Sequence, residues 1–316
     1  MPPTIATRGL SHRFGVFEAV RGIDLNVPAG SVYGFLGPNG SGKTTTIRIL
    51  LGLLRLQSGH VSILDHAMPA DRKGIARHVG SMVETPCLYD QLDGFDNVDI
   101  TRRAMGLLKI ETDRVLDLVG LSQFAFRRAG NYSLGMRQRL GIARALLGQP
   151  KLLILDEPMN GLDPAGILDM RELIRDLPQR LGVTVFLSSH LLNEVEQIAS
   201  HVGLMFHGEL IAQSSLPDLL RAARHSLIVG VADAPRAALR LEAAGIACDE
   251  IAADLLDIPF SPAMRVDPAA VNTLLVESGF SVFSLRTNVP SLEDIFLRQT
   301  LVSRSTREAP RVQPAY

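Results

Sequence analysis

Gly37-Pro38-Asn39-Gly40-Ser41-Gly42-Lys43-Thr44 is the stretch that decides how this chain is read. It fits Gly-x-x-x-x-Gly-Lys-[Ser/Thr] without a mismatch, and such a loop wraps backbone N–H groups around nucleotide phosphates. Its glycines permit the close approach and positive φ angles this requires. On this reading Lys43 reaches the β- and γ-phosphates, and the Thr44 hydroxyl holds Mg²⁺. Residues 31–36, an apolar run behind the turn at 28–30, predict a buried strand. Residues 45–54 predict a helix whose N-terminus points at the phosphates. An ordinary glycine-rich turn needs neither neighbour, so the expectation is a nucleoside triphosphate site.

The bulk properties bound the rest. A length of 316 residues suits one large domain plus a smaller one, and 46% hydrophobic residues suffice for a core. With 32 basic and 33 acidic residues the net charge is −1, so neither nucleic acid nor anionic lipid is an expected partner. Cys87 and Cys248 match no metal or redox spacing and read as small, half-buried apolar residues, as in a reducing cytoplasm. No N-terminal secretion signal is recognised, and no apolar run reaches the ~18 residues that span a bilayer. Arg48, Arg55, Lys151 and His190 interrupt the strongest candidates.

Along the chain, strands are expected at residues 4–10, 23–27, 32–36 and 78–83, with a helical pattern over 97–148. Residues 152–155 and 183–187 are continuous apolar runs typical of parallel strands covered on both faces. Helices are expected at 166–180 and 191–199, then a hairpin of 202–206 with 209–212 around His207-Gly208. This is an α/β layer architecture. Past residue 224 the order becomes strand 226–232, helix 235–244, strands 248–252 and 255–259, helix 268–278 and strand 280–287. That β-α-β-β-α-β order predicts a small α+β domain of ferredoxin-like type. The expected boundaries are 1–222 for the nucleotide-binding domain (its helical part at about 90–148) and 225–300 for the small domain. A final helix over 292–299 leads into a Ser/Arg/Pro-rich, flexible tail at 301–316.

Three further constellations carry chemistry. Residues 151–157 form an apolar strand ending in Asp156-Glu157. Beside the P-loop strand, Asp156 would hold Mg²⁺ with Thr44, and Glu157 would align a water against the γ-phosphate. His190 follows strand 183–187, at the sheet edge where ligands of open α/β sheets bind, and would donate a hydrogen bond to the γ-phosphate. Residues 131–139 form a polar turn entering a helix expected at 138–147, which is a second anion site. One phosphate cradle is enough for a P-loop protein, so the second needs its own explanation.

In order and spacing, the motifs at 37–44, 132–136, 152–157, 161–163 and His190 resemble the nucleotide-binding subunit of an ATP-binding-cassette (ABC) transporter, over about residues 4–215. The resemblance implies an ATPase with ATP and Mg²⁺ as cofactors. It also implies a homodimer in which the signature turn of one copy closes over the ATP of the other. On that basis Ser133 and Gly135 would touch the γ-phosphate across the interface, Asp163 would lie in the loop linking the two sites, and Thr45 would help bind the α-phosphate. Phe14 matches the aromatic residue that stacks on adenine.

The chain departs from the family's common pattern at three places. The signature reads Tyr-Ser-Leu-Gly-Met rather than Leu-Ser-Gly-Gly-Gln, and Phe14 stands where Tyr is usual. Glu84 occupies the position of a Gln that senses Mg²⁺ and meets the membrane subunit; a carboxylate keeps the acceptor and loses the amide donor. Glu84 together with this signature resembles the branch of bacitracin- and lantibiotic-type exporters. The C-terminal segment 290–298 resembles the ending of drug- and antibiotic-exporter ATPases. The resemblance therefore implies an ATPase subunit that powers a separate integral membrane permease from the cytoplasmic face of the membrane. The alternative is an ABC ATPase with no transport role.

Overall fold

The structure, a computed structural model, describes residues 2–223, 225–260 and 266–308. Its chain packs as two units, one spanning Pro217–Arg298 and the other containing the remainder. The division thus falls ahead of the expected boundary at 222–225.

The larger unit is built on a six-stranded sheet in the order Glu209–Ser215, His201–Phe206, Val32–Leu36, Thr184–Ser189, Leu152–Asp156, Val79–Met82. The five strands from His201–Phe206 to Val79–Met82 pair in parallel; the hairpin partner Glu209–Ser215 is antiparallel. Every residue of Val32–Leu36, Leu152–Asp156 and Thr184–Ser189 is buried, as expected of strands covered on both faces. Phe186 links two of them by stacking on Tyr33 at 5.5 Å and tilting against Phe35 at 5.2 Å. Each such ring contributes about 1.5–3 kcal/mol through burial. His207 (φ 49°) and Gly208 (φ 84°) close the hairpin with two positive φ angles, the geometry that matches strand twist.

A second, antiparallel sheet lies in the order Phe17–Ile23, Ile5–Phe14, Ser58–Ile63, His66–Met68, with Asn26–Val27 pairing onto Ile5–Phe14. The strand Phe17–Ile23 is absent from the sequence expectation. The polar residues Glu18 and Arg21 break its apolar run, yet Val20 and Ile23 reach the core.

The helical part holds Gly94–Ala104, Ile110–Leu118 and Leu134–Ala145. Asp93 caps the first of these, its carboxylate accepting from Asp96 N at 2.8 Å. Within the first helix Asp99 pairs with Arg102 and Arg103, and within the second Glu111 pairs with Arg114. The helix expected at 138–147 instead begins at Leu134. Ser133 caps it from outside, so Leu134-Gly135-Met136 is its first turn and not a loop. Pro164–Leu181 starts at its proline, behind the cap Asp163, and ends at Gly182 (φ 66°).

The smaller unit has the order His225–Val231, Ala234–Ala243, Asp249–Ala252, Leu255–Phe260, Pro268–Glu277, Val282–Asn288. Its sheet runs Asp249–Ala252, Leu255–Phe260, His225–Val231, Val282–Asn288, each neighbouring pair antiparallel. This is the ferredoxin-like split arrangement. One face carries the helices over Leu227, Val229, Leu256 and Ile258.

The tail expected to be flexible from 301 is instead helical at its start, because the last helix runs Leu292–Glu308. Residues 309–316 of that expectation lie outside the described residues.

Candidate nucleotide site

The P-loop joins Val32–Leu36 to the helix Lys43–Leu50. Two of its glycines are required by close backbone approach. A Cβ on Gly37 would stand 2.2 Å from Met205 O, and one on Gly42 (φ 105°) 2.4 Å from Ala19 O. The loop is thereby pressed against the neighbouring strands, and within it Gly37 N donates to Ser189 O and Ser41 N to Pro38 O, each at 3.2 Å. Pro38, Asn39 and Gly40 form its exposed rim. Ser41 Oγ is buried and has no hydrogen-bond partner, which fits an incoming phosphate oxygen.

Lys43 is buried, and its Nζ donates to Gly37 O at 2.8 Å and Pro38 O at 3.3 Å. Nζ also lies 3.3 Å from Glu157 Oε1. The other oxygen of that carboxylate, Oε2, lies 2.9 Å from His190 Nδ1 and 3.4 Å from the His190 amide. Glu157 itself sits at φ 51°, in the left-handed region that a side chain tolerates at a cost of about 1–3 kcal/mol. Parallel pairing of Leu152–Asp156 with Thr184–Ser189 brings these groups together at one sheet edge. With Nδ1–H given to Glu157, His190 Nε2 donates to a phosphate only in the imidazolium form.

Thr44 Oγ1 donates to Asp156 Oδ1 at 3.3 Å, so the two expected Mg²⁺ ligands are adjacent. Ser188 was not singled out as a site residue, but it ties the pair down. Its Oγ donates to Asp156 Oδ1 at 2.5 Å and accepts from Glu157 N at 3.0 Å. The Ser188-Ser189 pair ending an apolar strand was the available signal. A cleft of about 290 Å³ is lined by Thr44, Glu84, Gln138, Asp156, Glu157 and Asn160 among others. Glu84 (φ 60°) reaches that cleft and forms an ion pair with Arg48. Thr45 is half-buried in the first turn of the P-loop helix.

The remaining expected residues lie apart from this cluster. Phe14 is half-exposed at the end of its strand, edge-on to His12 with centroids 4.7 Å apart. Ser133 is exposed, its Oγ accepting from Met136 N at 3.2 Å. Gly135 has no glycine requirement within its own chain, since an added Cβ meets only Leu162 Cδ2 at 3.8 Å. Asp163 is exposed and caps its own helix through Gly166 N at 2.9 Å.

The strand ending in Asp156 is not beside the P-loop strand as expected, because Thr184–Ser189 lies between them. A phosphate cradle at a strand–helix junction, with an acidic pair at the same sheet edge one strand further on, defines a P-loop ATPase. The family profile described as "ABC transporter" matches residues 20–160. The bacitracin transport ATP-binding protein BcrA of Bacillus licheniformis is 40% identical over 300 residues, covering 94% of this chain and 97% of the relative. The lantibiotic transport ATP-binding protein SrtF of Streptococcus pyogenes is 40% identical over 206 residues, 65% of this chain and 88% of its own length. Among solved structures, CbiO1 from Clostridium perfringens, described as part of the cbiONQ transporter complex, has a TM-score of 0.65 at 27% identity. That match covers 70% of this chain and 92% of CbiO1. A dimeric ATP-binding cassette solved with ADP and Pi has a TM-score of 0.59, covering 67% of this chain and 98% of its own; at 22% identity it shows the fold alone.

The chain belongs to the ABC transporter family as an ATP-binding subunit, and it is an ATPase. Its relatives are named as transport ATP-binding proteins, and one neighbour is part of a transporter complex. Among the described residues no helix is long and apolar enough to cross a membrane.

Proposed function

We propose that this chain hydrolyses ATP to power a separate permease that exports a drug, antibiotic or lantibiotic-like peptide from the cytoplasmic face of the membrane. The observation that carries the cargo class is the extent of its likeness to a bacitracin transport protein. At 94% of this chain it continues past the ATPase unit and through the smaller one.

In the proposed cycle the triphosphate lies in the loop at 37–44, with Ser41 Oγ and Lys43 on its oxygens, Thr45 near the α-phosphate and adenine on the Phe14 ring. Thr44 and Asp156 offer oxygen donors only, a set suited to Mg²⁺, and Glu84 lines the same cleft. Held by these residues, Mg²⁺ would supply positive charge against that of the triphosphate. Glu157 orients a water whose oxygen attacks the γ-phosphorus. The bond to the β–γ bridging oxygen breaks, releasing ADP and phosphate, and the water's proton passes toward Glu157. His190 fixes Glu157 in place for this task. The exposed Ser133, with Gly135, completes the site of a second copy, and Asp163 lies between the two sites. This homodimer explains why Gly135 is a glycine although its own chain leaves room for a Cβ.

Co-expression with a six-helix permease tests the transport role. The chain should be recovered in the membrane fraction and confer resistance to the exported peptide. A chain that remains outside the membrane fraction would instead support an ABC ATPase without a transport role.

A further inference from the structure

Gln138 lies in the helix Leu134–Ala145, one turn beyond the cap that Ser133 forms, and its side chain is 5% exposed. Its Oε1 is buried and receives no hydrogen bond from the protein. The residue lines the same cleft as Thr44, Asp156 and Glu157. Buried polar atoms are partnered by protein groups or by ordered water, so this acceptor calls for a donor from the cleft. At about 290 Å³ the cleft is polar and roomy enough for water, which occupies about 30 Å³ per molecule in the liquid.

We propose that Gln138 is a positioning residue of the hydrolytic site, holding a water between its carboxamide oxygen and the Glu157 carboxylate. A water aligned for attack directs one hydrogen at its base and needs an acceptor for the second, which leaves a lone pair for phosphorus. Glu157 takes the first hydrogen and Gln138 Oε1 takes the second. The neutrality of the amide matters here. Glu84, Asp156 and Glu157 already face the cleft, and a further negative charge would repel the triphosphate. The helix does not depend on Gln138 for its placement. Arg137 pairs with Asp90 at 2.6 Å, Arg139 with Asp169 at 3.8 Å, and Met136 and Leu140 are buried beside them.

The proposal rests on ATP hydrolysis in this cleft, so the test runs Gln138→Leu and Gln138→Glu beside the parent and Glu157→Gln, all as full chains. Phosphate release is measured against ATP concentration, affinity with a non-hydrolysable ATP analogue, and melting temperature without nucleotide. Gln138→Leu should lower kcat at least about tenfold, with analogue affinity within about twofold of the parent. Its melting temperature should be equal or higher, because it removes a buried acceptor that has no protein partner. Gln138→Glu restores the acceptor and adds charge, so KM should rise severalfold while kcat stays within about threefold. A Gln138→Leu kcat within about twofold of the parent, with Glu157→Gln inactive, would overturn the role of Gln138 alone. A fall in kcat that merely tracks a lower melting temperature would also overturn it. An active Glu157→Gln would instead strike at the hydrolytic reading itself.

Discussion

Lys43 Nζ lies 3.3 Å from Glu157 Oε1, so the ammonium proposed to bind phosphate and the carboxylate proposed to orient water are held as an ion pair. Both are largely buried, at 5% and 20% side-chain exposure. The same ammonium donates to two P-loop carbonyls, and the same carboxylate holds His190. A γ-phosphate would compete with Glu157 for Lys43, and this competition couples nucleotide arrival to release of the carboxylate toward water.

Replacing the ammonium removes the cation proposed to meet the β- and γ-phosphates. Lys43→Ala should weaken ATP binding by at least about 30-fold, since losing one partner of a buried charged contact costs about 2–5 kcal/mol. Isothermal titration with an ATP analogue measures it. An affinity equal to the parent's would contradict the P-loop assignment.

Gly135→Ala separates folding from assembly. The added Cβ has space within the chain, meeting only Leu162 Cδ2 at 3.8 Å, and Ala favours the helix by about 0.5–1 kcal/mol over Gly. Thermal stability should therefore hold or rise slightly. ATP-dependent dimerisation and phosphate release should fall if this backbone meets the phosphate of a second copy. Light scattering and phosphate release report the second effect, and unchanged values in both would remove Gly135 from the interface.

The helical part should be acid-labile. The Arg102 hydrogen bond, with Arg103 beside it, holds the Asp99 carboxyl below the usual carboxylate range, and Arg114 does the same for Glu111. With depressed folded-state values, both groups contribute stability that is present above the unfolded value of about 4. That stability is lost as pH falls from about 4 toward the folded value. Melting temperature should drop across that window. Asp99→Asn should flatten the drop while costing about 1.5–3 kcal/mol at neutral pH, the range for a hydrogen bond to a charged group. A pH profile identical to the parent's would refute the assignment.

Local signals carried the nucleotide site into view. The loop 37–44, the apolar strand ending Asp156-Glu157 and the strand before His190 each announce themselves within about ten residues, and parallel pairing does the rest. What escaped depends on tertiary context. The strand Phe17–Ile23 mixes apolar residues with Glu18 and Arg21, because only part of it faces the core. The start of the helix at Leu134 was hidden because Leu-Gly reads as a turn until Ser133 is seen capping from outside. Gln138 stands among the polar residues Arg137 and Arg139, and Ser188 beside Ser189, so neither is distinguished by type. Only their burial beside Asp156 and Glu157 distinguishes them. In the smaller unit the β-α-β-β-α-β order was readable from alternating patterns.

The central claim is that Glu157 drives hydrolysis at a site completed by a second copy. The direct measurement takes Glu157→Gln with ATP and Mg²⁺ and records phosphate release together with mass by light scattering. Removing the charge frees Lys43 for phosphate while withdrawing the base. The account predicts retained ATP binding, phosphate release lowered at least about 100-fold, and a stable dimer that forms only with ATP. Turnover at the parent's rate, or a monomer that binds ATP with no change in mass, would contradict it.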